Sequence, residues 1–129
     1  MSEICYPTFA DVMAAHEILI ERYGGAQGFN GPDGQSLVES ALARPMQKAH
    51  YEGADLVCQA ASLLFGLAKN QAFRDGNKGV ATATAIAFLH ENGRNLIMSP
   101  ADLTAFVLRC SDPDWTEEAV EAFLREHLE

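Results

Sequence analysis

The chain has 129 residues, of which 48% are hydrophobic and 21% are charged, as in an ordinary globular protein. Its formal net charge of −9 argues against non-specific binding to nucleic acids and to anionic membranes. No apolar run reaches the length of about 18 residues that predicts a membrane span, since Gln59 and Lys69 interrupt the best candidate. We therefore expect a single globular domain over residues 1–129, large enough to bury about two-thirds of its unfolded surface.

The N-terminus and the cysteines both predict a cytoplasmic protein. Residues 1–4 include an acid and lack the basic start of a secretory signal. The 3 cysteines, Cys5, Cys58 and Cys110, are widely spaced and form no C-x-x-C pair. We expect free, buried thiols in a reducing compartment rather than a disulfide or a metal site.

The first part of the chain predicts a helix followed by a glycine-rich turn. Residues 8–23 are amphipathic, with Thr8 as a cap and Gly24 as a stop. His16 lies among their apolar side chains, either as a hydrogen-bonded structural residue or as a residue beside a functional site. Residues 24–34 contain five glycines but lack the order of a phosphate-binding loop, so we expect simple turn chemistry there.

A proline divides the next segment. A short helix over 35–44 is expected to end before Pro45, because a proline disfavours the helical conformation of the residue before it. Residues 45–53, which include His50, predict no regular helix. They suit either a plain surface loop or a flap, similar to a β-hairpin, that covers the polar segment 70–79.

Two long apolar segments surround that polar segment. Residues 54–70 and 77–91 predict two helices, and the second is apolar on all sides, which indicates burial on all sides. The segment 70–79 carries an acid, Asp75, and a base, Lys78. If it leads directly into the second helix, its backbone N–H groups face any anion above that helix N-terminus. The residues alone therefore predict an anion or phosphate cradle.

Two shorter helices complete an all-α fold. Residues 99–102 combine a serine cap, a proline and an acid, which is a strong helix start, and this helix runs to about Cys110. The last helix covers 116–127. We expect His90 and His127 at the surface.

With these elements in view, the chain resembles the death-on-curing branch of the Fic/Doc (Fido) family over roughly residues 5–110. Outside the polar segment, the resemblance rests on residues 34–45, 51–53 and 88–93, which occur in the family's order and spacing. The family is all-α, and many members are toxins of toxin–antitoxin pairs. The resemblance implies a compact helical bundle around a buried central helix.

The family signature, H-x-F-x-D/N-A/G-N-K-R, corresponds to residues 71–79, which read Q-A-F-R-D-G-N-K-G. Five of its seven defining positions match, namely Phe73, Asp75, Gly76, Asn77 and Lys78. The resemblance implies that Phe73 anchors the loop in the core and that Asp75 binds a magnesium ion. It also implies an anion hole for the phosphates of ATP or another nucleoside triphosphate, formed by Gly76, Asn77 and Lys78.

Two signature positions differ. Gln71 stands where the family has the histidine that acts as general base, and an amide cannot take up a proton near pH 7, a loss typically worth about 10²–10⁴ in rate. Gly79 replaces the arginine that clamps phosphate, which removes a bidentate, charge-assisted contact. His16 and His50 are candidates to replace the base, although neither lies at the family position.

Three interpretations remain open. The first is an enzyme that transfers phosphate, as Doc-like members do, or a nucleotide, as Fic-like members do, to a hydroxyl of a translation-related protein. The second is a catalytically impaired member that binds a nucleotide or a partner, whether its motif changed naturally or by engineering. The third is an interaction module whose segment 70–79 only connects two helices. Residues 75–78 argue against the third, since a plain connector needs none of them.

We expect little or no transferase activity and, if the family's regulation applies, a cognate antitoxin that docks as a helix in a surface groove. The chain has no match to the internal inhibitory motif of some relatives, S/T-x-x-x-E-G/N. An inhibitor would therefore come from another chain, unless an impaired enzyme needs none.

Overall fold

The computed structural model describes residues 3–129, which form six helices and no strands. The helices are α1 (Phe9–Tyr23), α2 (Gly34–Glu52), α3 (Leu56–Asn70), α4 (Asn77–Glu91), α5 (Pro100–Arg109) and α6 (Glu117–Glu126). The all-α prediction is confirmed. Met1 and Ser2, from which part of the N-terminal prediction was drawn, lie outside the described residues. Within residues 3–129, no helix combines the length and the apolar character that crossing a membrane requires.

The bundle is organised around α3. Leu63 and Leu64, in the middle of this helix, are at most 1% exposed. α2, α4 and α6 all pack along α3, while α1 lies against α4 and α2. The predicted bundle around a buried central helix is therefore confirmed.

Helix starts are confirmed where a side chain caps the backbone. Thr8 and Asp11 form a reciprocal capping box at the start of α1, and Ser99 and Asp102 form another at α5. Asp55 caps α3 by accepting a hydrogen bond from the third N–H of the helix. These caps satisfy N–H groups that have no partner within the helix, which is why short local patterns locate the helix starts well.

The prediction that a short helix ends before Pro45 is wrong, because α2 continues through Pro45 to Glu52. A proline inside a helix removes one backbone hydrogen bond. Tertiary packing outweighs that loss: Pro45 is itself buried, and Lys48 pairs with Glu117 of α6 at 3.1 Å. The residues expected to form a flap are therefore the last turns of α2.

The expectation that α4 is buried on all sides is also wrong. Only 7 of its 15 residues are buried; Ile86 is half-buried and Ala87 is exposed. An apolar helix is buried on all sides only when neighbours surround it, and α5 contacts α4 over a short stretch. One apolar face of α4 therefore borders open grooves.

All three cysteines are free, as predicted, but only Cys110 is buried. Cys58 is half-buried on α3, and Cys5 is exposed because it lies in the N-terminal segment outside the helices. Burial raises the pKa of the Cys58 and Cys110 thiols to about 11. Both thiols therefore stay protonated at neutral pH, as expected of structural cysteines.

Candidate functional site

The polar segment between α3 and α4 borders a cavity of about 280 Å³, which we call the loop cavity. It is lined by Ala68, Gln71, Arg74 and residues 75–79. The six signature positions assigned to catalysis or to phosphate and metal binding, Gln71 and residues 75–79, thus lie at one place. The predicted cradle has the expected position, directly above the start of α4.

The start of α4 exposes backbone donors to this cavity. Gly76 is the residue before the helix and has a left-handed backbone with φ of 84° and no side-chain cap. The first hydrogen bond of the helix runs from Val80 N–H to the Gly76 carbonyl at 2.9 Å. The N–H groups of residues 77–79 therefore lack a partner inside the helix. Together with the positive end of the helix dipole, they favour a bound anion such as a phosphate.

The Asn77 side chain holds the loop rather than facing the cavity freely. Its Oδ1 accepts from the Phe73 N–H at 3.0 Å, and its Nδ2 donates to the Phe73 carbonyl at 2.8 Å. Phe73 itself is 2% exposed, so the loop is anchored in the core. Both ends of the Asn77 amide are engaged, which leaves its backbone N–H as the group available to a phosphate.

His16 of α1 lies beneath the loop. It is 5% exposed, its Nε2 is 2.9 Å from the Asp75 carbonyl oxygen, and its ring stacks on Phe73 at 3.9 Å between centroids. Because a carbonyl only accepts, Nε2 carries the proton of this bond. The two alternatives for His16 are therefore combined: it is a hydrogen-bonded structural histidine, and it supports the site. It does not line the loop cavity, so it is poorly placed to replace a missing base there.

The glycine-rich segment 24–34 packs against the loop, a role that the sequence reasoning missed. The Asn30 N–H donates to the Ala72 carbonyl at 2.8 Å, and the Arg74 N–H donates to the Gly28 carbonyl at 3.1 Å. These two bonds form a short antiparallel contact between the segment and the loop. The cover expected from the residues after Pro45 is thus provided by an earlier part of the chain.

Phe29 explains why the glycine-rich segment lies against the loop. Phe29 stacks on Phe73 with 5.5 Å between ring centroids. A Cβ atom on Gly34 would lie 2.2 Å from Phe29 Cγ, so the start of α2 must be a glycine for this ring to fit. An aromatic residue inside an otherwise polar, glycine-rich segment was the available indication of a core contact.

The same segment holds the Asp75 carboxylate. Asp75 Oδ2 accepts from the Ala26 N–H at 2.6 Å, while Oδ1 has no hydrogen-bond partner among residues 3–129. A Cβ on Gly25 would lie 3.2 Å from Asp75 Cβ, so a glycine lets the glycine-rich segment approach the loop this closely. The described residues contain no cluster of three or more metal-ligating side chains. A single carboxylate oxygen nevertheless fits magnesium, which commonly takes one or two carboxylates and fills its remaining positions with phosphates and waters.

Lys78 is the free cation at this cavity. It is exposed, and none of the ion pairs formed within residues 3–129 includes it. Arg74 is less free, since its Nε donates to the Phe29 carbonyl at 3.2 Å. The Lys78 ammonium is therefore the group best placed to meet a negative charge beside the helix start.

Gln71 ends α3 in a left-handed conformation with φ of 50° and ψ of 47°. Among the described residues it is the one non-glycine with a positive φ. Asparagine, aspartate and histidine adopt this conformation more readily than glutamine does. The backbone at position 71 is therefore well suited to the histidine of the family signature, although it carries a glutamine.

Gly79 is half-buried beside α1. A Cβ at this position would lie 3.3 Å from Leu19 Cδ1, a close contact that the flexible end of a leucine can relieve. The structure thus gives a modest steric reason for glycine, where the sequence offered none. Gly79 also borders an apolar groove between α1, α4 and α5.

The other histidines lie away from the loop cavity. His50 is about 20 Å along α2 from Leu37, whose carbonyl bonds the last residue of α3. His90 is exposed, as predicted. His127 is half-buried rather than at the surface, because its ring stacks on Phe123 at 4.2 Å between centroids. None of the three lines the loop cavity.

Comparisons of the sequence with known proteins identify one family and two relatives. The model of the Fic/DOC family matches residues 6–89. The chain is 35% identical to the protein kinase doc of Escherichia phage P1 over 97 residues, which cover 73% of this chain and 75% of that protein. It is 45% identical to the toxin Doc of Mycolicibacterium smegmatis over 64 residues, which cover 46% of this chain and 48% of that protein.

Proposed function

The chain belongs to the Fic/DOC family, and from that premise we propose that it binds the phosphates of a nucleoside triphosphate at the loop cavity but transfers them poorly. The observation that carries the binding proposal is the exposed, unpaired Lys78 beside the free N–H groups of α4. The observation that carries the weak transfer is Gln71 at the position of the family's general base.

The match to the family signature divides into two kinds of residue. Phe73, Gly76 and Asn77 are needed by the loop itself, as anchor, left-handed turn and backbone clamp. Their presence is therefore also expected of a simple connector, contrary to the argument made from the sequence. Lys78 has no such structural task among the described contacts, so it favours phosphate binding over a connector.

The donor set fits a magnesium–nucleotide complex. The N–H groups of residues 77–79 and the Lys78 ammonium would hold the phosphates, and Asp75 Oδ1 would hold the magnesium ion. When bound, the nucleotide supplies the phosphoryl or nucleotidyl group and the ion neutralises its negative charge. The protein's own contribution is to orient the phosphates and to exclude water from one side of them.

Transfer requires a group that takes the proton of the attacking hydroxyl. Gln71 lies at the lip of the cavity, where its amide can position a hydroxyl but cannot accept its proton. We expect a rate lower by about 10²–10⁴ than with a histidine. Gly79 adds no clamp on the phosphates. The alternative within the same family is a pseudoenzyme that only binds a nucleotide or a partner in the cytoplasm.

Calorimetry with magnesium and ATP tests the binding half on the unmodified protein. We expect a saturable heat of binding; its absence would contradict a nucleotide site. Incubation with labelled ATP and an elongation factor tests the other half, and we expect no labelled product. Strong labelling by the unmodified chain would show that Gln71 does not impair it.

A restored variant tests the assignment of the two replaced positions. Gln71→His together with Gly79→Arg is expected to label a target protein and to arrest growth when expressed. Gln71→Asn with Gly79→Arg is the matched control, since asparagine also fits the left-handed backbone but supplies no base. Equal activity of the two variants would contradict the role given to position 71.

A second proposal concerns a partner. A groove of about 480 Å³ lies between α1, α4 and α5, and its walls include Tyr23 and Leu108, which are 73% and 68% exposed. Gly79 borders both this groove and the loop cavity. A helix of a cognate antitoxin bound in the groove would therefore reach the edge of the loop cavity. Co-expression of such an antitoxin should relieve the growth arrest caused by the restored variant. Leu108→Glu should abolish the relief; unchanged relief would exclude the groove.

A further inference from the structure

His16, on α1, is a buried polar side chain that contacts the loop between α3 and α4 without lining the loop cavity. Its ring stacks on Phe73, and its Nε2 donates to the Asp75 carbonyl at 2.9 Å. Building on the proposed binding of phosphates at the loop cavity, we propose that His16 is a positioning residue for this site. It turns the peptide between Asp75 and Gly76 so that the Gly76 N–H faces a bound phosphate.

The hydrogen bond from His16 sets the direction of one peptide plane. The peptide between Asp75 and Gly76 is trans, since residues 3–129 contain no cis peptide bond. In a planar trans peptide the carbonyl and the following N–H point in opposite directions. The Asp75 carbonyl points to α1, where His16 holds it, so the Gly76 N–H points away from α1.

The Gly76 N–H is available to a ligand. It donates to no acceptor among residues 3–129, while the Gly76 carbonyl already accepts from the Val80 N–H at 2.9 Å. A Cβ on Gly76 would lie 3.6 Å from Ile20 Cδ1 and 3.5 Å from a ring carbon of His16, so this side of the residue faces α1. Gly76 also lines the loop cavity. Its N–H is therefore the polar group that Gly76 offers to a phosphate, beside the N–H groups of residues 77–79.

A glycine at position 76 makes this orientation depend on an outside contact. Turning the peptide over would change ψ of Asp75 and φ of Gly76. Glycine adopts positive and negative φ about equally well, so the φ of 84° at Gly76 is not imposed by the residue itself. The bond from His16 favours the observed orientation, because a turned peptide would leave a donor without its partner on a side chain that is 5% exposed.

A purely structural role is the alternative for His16, since its ring lies 3.9 Å from that of Phe73 between centroids. Two substitutions separate the roles. His16→Phe keeps an aromatic ring but has no N–H, whereas His16→Gln has no ring but keeps an N–H donor that can reach the same carbonyl. If the stacked ring matters, phenylalanine is the better replacement. If the donor matters, glutamine is the better replacement.

Residual dipolar couplings of the full ¹⁵N-labelled chain measure the direction of the Gly76 N–H bond without a ligand. In the unmodified chain we expect a coupling that fits an N–H pointing away from α1. His16→Phe should change this coupling while those of the α1 and α4 amides stay the same, and His16→Gln should restore it. An unchanged Gly76 coupling in His16→Phe would overturn the proposal. Circular dichroism checks that each variant is folded.

Calorimetry with magnesium and ATP measures the consequence for binding. His16→Phe should weaken binding about tenfold, because one hydrogen bond to a charged phosphate is lost, and His16→Gln should bind within about threefold of the unmodified chain. His90→Phe is the matched control, since it makes the same replacement at an exposed histidine that does not line the loop cavity, and it should leave the affinity unchanged. Full affinity in His16→Phe, or weaker binding by His16→Gln than by His16→Phe, would overturn the proposal.

The unmodified chain distinguishes a failure of this role from a failure of the phosphate site. No heat with magnesium and ATP would contradict the proposed function and, with it, the role of His16. When magnesium–ATP binds, the NMR signal of the Gly76 amide should shift. Binding without such a shift would overturn the role of His16 and leave the phosphate site intact. This measurement needs no substitution at position 16, so it decides the matter even where His16→Phe does not fold.

Discussion

The segment between α3 and α4 has two parts that the protein holds very differently. We call the first part the frame, which consists of Phe73, Asp75 and Asn77. Each frame residue is fixed by the rest of the molecule: Phe73 by its burial, Asp75 by the Ala26 N–H, and Asn77 by its paired bonds to the Phe73 backbone. The frame gives the loop its shape.

The second part, the lip, consists of Gln71, Lys78 and Gly79. These residues border the loop cavity, and within residues 3–129 the side chains of Gln71 and Lys78 make no hydrogen bond or ion pair. Both departures from the family signature fall on the lip. Agreement with the signature at Phe73 and Asn77 therefore reports the fold, whereas the lip, together with the free Oδ1 of Asp75, reports chemistry.

The largest expected effect on stability comes from removing the ring of Phe73, which anchors the frame. Phe73→Ala should lower the free energy of unfolding by about 3–5 kcal/mol, because it removes a buried ring on which His16 and Phe29 stack. Urea denaturation followed by circular dichroism measures the change. A loss below about 1 kcal/mol would mean that the loop does not depend on its anchor.

A smaller effect is expected from the clamp. Asn77→Ala should lower the free energy of unfolding by about 2 kcal/mol, since two hydrogen bonds to the Phe73 backbone are lost. Asn77→Asp keeps the acceptor and loses the donor, so its loss should be intermediate. If both variants were as stable in urea as the unmodified chain, the Asn77 side chain would not hold the loop in place.

Substitution of Gln71, the first residue of the lip, should change the free energy of unfolding in the opposite direction. Gln71→Gly is expected to raise the free energy of unfolding by about 0.5–1 kcal/mol, because glycine adopts the left-handed conformation without strain. Gln47→Gly, in the exposed interior of α2, is the matched control and should lower it by about 1 kcal/mol. Destabilisation by Gln71→Gly would show that the glutamine side chain stabilises the loop.

The smallest effect on stability, and the sharpest on binding, is expected at Lys78. Lys78→Ala should change the free energy of unfolding by less than about 0.5 kcal/mol. It should weaken magnesium–ATP binding about tenfold in calorimetry, because a charge-assisted contact is lost. Arg94→Ala removes one positive charge about 20 Å away, beyond the end of α4, and should leave the affinity unchanged. If both substitutions weakened magnesium–ATP binding equally, Lys78 would act only through the net charge of the protein.

The sequence predicted those features that depend on neighbouring residues. Thr8 and Ser99 mark helix starts through bonds to the next turn, and the position of the loop follows from its leading directly into α4. Features that depend on distant contacts were missed. Pro45 stays helical because α2 packs along α3 and Lys48 pairs with Glu117 of α6, and Phe29 reaches the loop only in the folded chain. The engagement of Asn77 was missed for another reason, since an amide suits a phosphate and a backbone equally well.

The contact between the glycine-rich segment and the loop also sets an order of assembly. The bond from the Ala26 N–H to Asp75 joins residues that are 49 positions apart. Contacts of such separation carry a high loop-closure entropy, so they form after the local turns of the helices are in place. We therefore expect the loop cavity to be completed late in folding. In pulse-labelling hydrogen exchange during refolding, the Ala26 and Asn30 amide protons should become protected later than those of the surrounding helices; simultaneous protection would contradict this order.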